Sequence, residues 1–178
     1  AVVARGEPLP DFDLHCPLVS LPAALGLTLA DLPAATAYLH PPAERAAAWA
    51  ARLAPAAPKS GLFAAKAPQA AARLRVGLAW SGNPGHANDR NRSIALRHLA
   101  PVLAVPGCQF HVLQKDVRDS DLAALIAATA ATPPLVDPRG LICDLADTAA
   151  IMAQMDLVIE VDTDAANAAG ALGRPPWL

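Results

Sequence analysis

The fold of this chain is decided by residues 155–177, which read M-D-L-V-I-E-V-D-T-D-A-A-N-A-A-G-A-L-G-R-P-P-W. Residues 157–161 form a short apolar run rich in β-branched side chains, which is typical of a strand buried on both faces of a parallel sheet. Thr163 is a suitable N-cap for a helix, and Gly173 followed by two prolines indicates where that helix ends. The stretch therefore predicts a strand, a tight turn, a helix and the start of another strand.

The same alternation of strand and helix extends back along the chain to Arg73. Further strands are predicted at residues 74–80, 110–113 and 135–136. Further helices are predicted at residues 95–103, 119–128 and 147–154. Regular alternation of this kind predicts an α/β fold with a Rossmann-like parallel sheet and helices on both of its faces.

The sequence upstream of Arg73 has a different character. Residues 1–53 are punctuated by prolines, and the clearest element there is a helix predicted from Pro41 to about Leu53. Residues 54–72 are rich in alanine and contain three prolines, which favours a linker. We therefore divide the chain into an N-terminal segment 1–53, a linker 54–72 and a domain 73–178.

Composition argues against several classes of protein. A net charge of -2 over 178 residues offers no basic surface for nucleic acid. No apolar run approaches the roughly 20 residues that span a bilayer, and the first ten residues do not resemble a signal peptide. Cys16, Cys108 and Cys143 are too few and too widely spaced for a disulfide framework or a zinc site. We expect a cytoplasmic protein without a metal, another cofactor, a nucleic-acid partner or a transmembrane segment.

Polar side chains follow each predicted strand, at the edge of the sheet where ligands of open α/β folds bind. The loop at residues 81–93 is longer than most strand-to-helix connections, and such loops are often functional. The side chains at this edge include Arg90, Arg92, Gln114, Lys115, Asp162 and Thr163. Each of them alone is as often a solvated loop residue as a ligand-binding one. Together they supply the cationic and amide donors that suit a nucleotide diphosphate.

Motifs for several other nucleotide-dependent or hydrolytic classes do not occur. The sequence contains no G-x-S-x-G, no P-loop and no G-x-G-x-x-G. Four ordered blocks instead resemble a known family: residues 75–96, 110–115, 145–163 and 169–177. They resemble the C-terminal, nucleotide-sugar-binding half of bacterial heptosyltransferase-like glycosyltransferases of the GT-B type, which are often fused to tetratricopeptide repeats. Residues 2–22 resemble the last part of that family's N-terminal Rossmann domain.

The resemblance implies a set of donor-binding residues and leaves the catalytic residue unassigned. The implied contacts of the donor phosphates and sugar are Ser81, Asn83, Arg92, Ser93, Gln114, Lys115, Asp162 and Thr163. The resemblance also implies chemistry without a metal, because backbone amides and basic side chains neutralise the leaving diphosphate.

Three residues around the predicted turn depart from the family pattern. Glu160 stands where the family has a small polar residue, and Asp164 and Asn167 stand where it has a small residue and then a histidine. The partial positive charge at a helix N-terminus attracts carboxylates as well as phosphates. The Asp164 carboxylate is therefore an alternative to a donor phosphate at the N-terminus of the predicted helix.

The functional expectation follows from the resemblance. A complete GT-B enzyme transfers a hexosyl or heptosyl group between two Rossmann domains, and the resemblance implies that this chain holds only the tail of the first one. We therefore expect a donor-binding domain that does not transfer sugar alone and that acts with a missing N-terminal half or a protein partner. The alternatives are a non-catalytic glycosyltransferase-like subunit with a structural or protein-interaction role, and a different α/β nucleotide binder or small-molecule enzyme.

Overall fold

The computed structural model describes residues 3–4, 6–31, 37–54, 73–131 and 134–178, which fall into two compact units. The first unit, Ala1–Ala35, contains helix α1 (Leu21–Ala24) and the 3₁₀ turns Leu18–Ser20 and Leu29–Asp31. Its residues 6–31 are all solvent-exposed. Asp31 accepts hydrogen bonds from the Thr28 backbone N–H at 2.8 Å and from the Thr28 hydroxyl at 2.7 Å. These hydrogen bonds join residues that are close together in the sequence.

The second unit, Thr36–Leu178, contains the sheet and the remaining helices. Its strands are β1 (Leu74–Ala79), β2 (Cys108–Val112), β3 (Leu157–Glu160) and β4 (Pro176–Trp177). Its helices are α2 (Ala43–Arg52), α3 (Asp89–Arg92), α4 (Ala100–Leu103), α5 (Asp119–Thr129), α6 (Leu145–Met152) and α7 (Asp164–Ala171), with 3₁₀ turns at Leu96–Leu99 and Arg139–Leu141. Among the described residues, no helix combines the length and the apolar character needed to cross a membrane.

The strands form one sheet in the order β2-β1-β3-β4, and every pairing between them is parallel. The predicted strand at residues 135–136 is reduced to a single parallel bridge between Val136 and His111. Prolines at positions 133, 134 and 138 bracket this run, and because proline has no N–H it cannot extend the hydrogen-bonding ladder.

Each face of the sheet carries its own hydrophobic core. On one face, Val76, Leu78 and Phe110 pack with Leu96 and with Leu125 of α5. On the other face, α2, α6 and α7 contribute Trp49, Ile151 and Ala169, which pack with Ala79 and Val158 of the strands. Helices therefore cover both faces, which confirms the predicted α/β, Rossmann-like fold.

Helix α2 belongs to the unit that contains the sheet, whereas the division predicted from the sequence places it in the N-terminal segment 1–53. The indole N–H of Trp49, which is 1% exposed, donates to Asp147 of α6 at 3.0 Å. Arg45 approaches the same carboxylate at 3.0 Å and Asp144 at 2.8 Å. These long-range contacts hold α2 on the α6 face. Residues 55–72, most of the predicted linker, lie outside the described residues, so the linker remains a prediction.

Two buried titratable groups make the stability of this unit depend on pH. The Trp49 indole, the Cys143 backbone N–H and the Arg45 guanidinium hold the pKa of Asp147 well below its usual range. Burial, assisted by the Arg75 charge, lowers the pKa of His111 from 6.5 to about 4. Both shifts favour the unfolded chain in acid, because the unfolded chain then binds the extra protons.

We expect Asp147→Asn to remove one part of this dependence. A lowered carboxyl pKa contributes stability above the unfolded value of 3.8 and loses it as the pH falls through the folded value. Urea unfolding of the wild type between pH 2.5 and pH 7 should therefore show a loss of stability below about pH 4. The variant should be less stable at pH 7 and should show a weaker loss below about pH 4. An unchanged acid slope in Asp147→Asn, with Asp119→Asn as the exposed control, would contradict this assignment.

Candidate functional site

A cleft of about 710 Å³ opens at the carboxyl ends of β1, β2 and β3. In the strand order, β1 is flanked by β2 on one side and β3 on the other, so the chain reverses its direction of winding at this point. Such reversals leave a crevice where ligands of open α/β sheets bind. The cleft is lined by Ala79, Ser81, Gly82, Asn83, Pro84, Arg92, Leu113, Gln114, Lys115, Asp116, Val117, Arg118, Asp162, Thr163, Asp164, Ala165 and Asn167.

Gln114 joins the ends of β1 and β2. Its side-chain oxygen accepts hydrogen bonds from the backbone N–H groups of Trp80 at 3.1 Å and Ser81 at 2.9 Å. Its side-chain nitrogen donates to the Ser81 hydroxyl and to the Asp116 carbonyl, each at 2.6 Å. With both donor hydrogens and the acceptor oxygen engaged, Gln114 fixes the floor of the cleft and has little capacity left for a ligand.

A second network folds the loop after β1 back against the start of α5. The Ser93 hydroxyl accepts from the Gly82 backbone N–H at 3.0 Å and donates to the buried Asp89 carboxylate at 2.7 Å. The Arg118 guanidinium pairs with Asp89 and donates to Ser93 at 2.9 Å. The charge of Arg118 is therefore balanced by Asp89. Ser93 stabilises the loop after β1 through hydrogen bonds and does not itself line the cleft.

Arg92 and Lys115 are the cations of the cleft that make no ion pair within the described ranges. The Arg92 guanidinium lies against Gly82, so closely that a Cβ atom at position 82 would come within 2.6 Å of Nη2. Its buried Nε atom has no hydrogen-bond partner in the described part of the chain. Lys115 is exposed and donates to the Cys143 carbonyl at 3.0 Å, which leaves further donor capacity on its ammonium group.

The third wall of the cleft is the turn from β3 into α7. Thr163 is the N-cap of α7, as expected from the sequence, and its hydroxyl accepts from the Ala165 backbone N–H at 3.3 Å. Asp162 and Asp164 flank this cap, and both are exposed.

Glu160, at the end of β3, is only 4% exposed, and neither of its carboxyl oxygens makes a hydrogen bond of ordinary geometry to the described residues. Burial raises the pKa of Glu160 to about 7, and the neighbouring Thr163 hydroxyl opposes that rise. Glu160 therefore titrates close to neutral pH, beside a wall that already carries two carboxylates.

The structure brings seven of the eight sequence-predicted site residues to the surface of one cleft. Ser93 is the exception, because its hydroxyl is used inside the loop network. Asn83 reaches the cleft, but its side-chain oxygen is engaged by the Gly85 N–H at 2.8 Å. Arg118 was not predicted from the sequence to belong to the site, because its place there depends on a pairing with Asp89 across 29 residues.

Comparison with known proteins defines the class of fold. No family model matches the chain. The chain matches the structure of E. coli ADP-heptose lps heptosyltransferase II with a TM-score of 0.52 and 17% identity, over 84% of this chain and 41% of that one. E. coli heptosyltransferase WaaC with ADP gives a TM-score of 0.41 and 21% identity, over 58% of this chain and 32% of that one. The match to heptosyltransferase II shows that the chain has the fold of part of a heptosyltransferase-like GT-B protein, as the ordered sequence blocks predicted.

Sequence comparison finds a relative of a different length. Protein FlbA of Caulobacter vibrioides (strain ATCC 19089 / CIP 103742 / CB 15) is 31% identical over 170 residues, which cover 94% of this chain. The match spans only 26% of FlbA. The similarity thus extends along nearly the whole of this chain but over only a minor part of that protein.

The Gln114 network yields a prediction about stability. Gln114→Ala removes the partners of the buried Trp80 and Ser81 N–H groups, and each buried group left unsatisfied costs about 1–3 kcal/mol. We expect a loss of about 2–4 kcal/mol in the free energy of unfolding, measured in urea. The control Gln109→Ala removes one exposed hydrogen bond to the Pro134 carbonyl and should cost less than about 1 kcal/mol. Equal losses in the two variants would show that Gln114 does not fix the floor.

Proposed function

We propose that the second unit of this chain is the nucleotide-sugar donor domain of a glycosyltransferase and that it acts as part of a larger protein or assembly. The observation that carries the proposal is the position of Arg92 and Lys115. Both are cations without an ion-pair partner among the described residues, and both line one cleft at the winding reversal of the sheet. A cleft of this volume suits a small-molecule ligand.

The chemistry of the cleft fits a diphosphate leaving group. Glycosyl transfer from a nucleotide sugar breaks the bond between the sugar and the terminal phosphate, so negative charge develops on that phosphate. Cationic donors that are fixed before the reaction stabilise such charge without the cost of reorganisation. The Arg92 guanidinium lies against Gly82, and Lys115 directly follows Gln114, which joins the ends of two strands, so both cations lie beside ordered parts of the fold.

The fold supports the same proposal. The matched heptosyltransferase II is described as acting with ADP-heptose, so we take a nucleoside diphosphate sugar, with a hexose or a heptose, as the donor class. The acceptor and the catalytic base would come from the N-terminal half that such enzymes place opposite the donor. We therefore propose that transfer requires this half in the same protein or in a partner. A cytoplasmic setting, a bacterial source and associated tetratricopeptide repeats remain part of the proposal.

One observation favours a second function. Asp162 and Asp164 flank the N-terminus of α7, and neither makes an ion pair in the part of the chain that the structure describes. Asp164, which departs from the pattern of the resembled family, places a carboxylate where it opposes a bound diphosphate, and this is expected of a relative that no longer binds a nucleotide-sugar donor. Such a relative would be a non-catalytic, glycosyltransferase-like subunit with a structural or protein-interaction role.

Calorimetric titration of the full 178-residue chain with nucleoside diphosphates and their sugar conjugates separates the two functions. We expect saturable binding that weakens about 10- to 100-fold in Arg92→Ala and in Lys115→Ala, because each removes a charge-assisted hydrogen bond worth about 1.5–3 kcal/mol. The matched control is Arg90→Ala, an exposed arginine of the same short helix that does not line the cleft. It should leave the affinity within about twofold.

Two results would contradict the donor-site proposal. Folded wild-type protein that binds none of these compounds would favour the non-catalytic subunit. Saturable binding that is equally strong in Arg92→Ala, Lys115→Ala and the control would show that the ligand lies elsewhere on the molecule.

A further inference from the structure

The charged side chains of the cleft are unequally distributed between its walls. The wall formed after β1 and β2 carries Arg92, Lys115 and Arg118, together with the exposed carboxylate of Asp116. The wall formed by the turn into α7 carries Asp162 and Asp164 and no cation. A phosphate in this cleft is therefore attracted to the first wall and repelled by the second.

The N-terminus of α7 does little to offset this repulsion. The Ala165 N–H already donates to the Thr163 hydroxyl at 3.3 Å, and the Ala166 N–H donates to the Thr163 carbonyl at 3.1 Å. Two of the amides that usually make a helix N-terminus attractive to an anion are thus engaged. The Asp164 side chain, in the first turn of α7, adds a negative charge at the same place.

We infer that Asp164 makes the cleft select sugar-esterified nucleoside diphosphates over free nucleoside diphosphates; this inference rests on the proposed function. The terminal phosphate of a free nucleoside diphosphate carries close to two negative charges at neutral pH, because its second pKa is about 6. Esterification by a sugar leaves one negative charge on that phosphate and adds hydroxyl groups, which can donate hydrogen bonds to a carboxylate. The acidic wall thus penalises the free diphosphate more strongly than its sugar ester.

The selection has a chemical use in a transfer reaction. The donor enters as a sugar ester, and the product that remains after transfer is the free nucleoside diphosphate. When the sugar–phosphate bond breaks, its electrons stay with the phosphate oxygen, so the negative charge facing Asp164 increases. Asp164 therefore weakens the binding of the product relative to the donor and favours its release.

The experiment compares ADP with ADP-glucose, and UDP with UDP-glucose, by titration of the wild type and of Asp164→Asn. Removing one unit charge near a second charge in a solvated cleft should strengthen binding of the free diphosphate about fivefold and binding of its sugar ester less than about twofold. The difference should shrink as salt is raised from roughly 0.05 to 0.5 M, because the cleft is open to solvent. Asp119→Asn, which removes an exposed carboxylate from the first turn of α5 outside the cleft, is the matched control.

The possible outcomes separate the inference from the function on which it rests. A ratio of the two dissociation constants that shifts toward the free diphosphate in Asp164→Asn alone supports the inference. Binding of both compounds with an unchanged ratio, or a gain of equal size for both, overturns the inference and leaves the donor site standing. No binding of either compound to any folded variant overturns the donor site and the inference together.

Discussion

The hydrogen bonds of Trp80, directly after β1, are the interaction on which the rest of the domain depends. Its indole N–H donates to Asp121 of α5 at 2.9 Å, and its backbone N–H donates to Gln114 at 3.1 Å. Its carbonyl accepts from the Ile94 N–H at 2.8 Å, where the long loop returns to the sheet. Trp80, which is 1% exposed, thus connects the end of β1 to α5, to the end of β2 and to the loop that follows β1. The cleft opens at this end of β1.

The polar residues in and beside the cleft divide into a supporting set and a ligand-facing set. The supporting residues make their hydrogen bonds to other groups of the protein, and they are Gln114, Ser93 and Asp89. Arg92 and Lys115 retain capacity for a ligand, and their positions follow from that support. The cleft is therefore preorganised on its basic side, whereas the exposed carboxylates on the α7 side shape what that basic side is able to hold.

The elements that the sequence predicted well are those with a strong local pattern. The strand at 157–161, the Thr163 cap and the helix at 119–128 depend on residues that are neighbours in the chain, and the structure has β3, that cap and α5 there. The packing of α2 against α6 was not predicted, because it depends on the hydrogen bond from Trp49 to Asp147, 98 residues away. The edge residues of the cleft were predictable because parallel strands end together, but whether each one supports the loop or faces the cleft depends on tertiary hydrogen bonds.

The position of α2 enlarges the part of the chain that has to fold together with the sheet. A fragment that begins at residue 73 would keep the whole sheet but would lose Trp49, and with it the cover over Ile151 and the partner of Asp147. Its uncovered apolar surface would invite self-association. A polypeptide that is to fold as this domain therefore has to include residues 43–52, so the folding unit is longer than the run of strands and helices suggests.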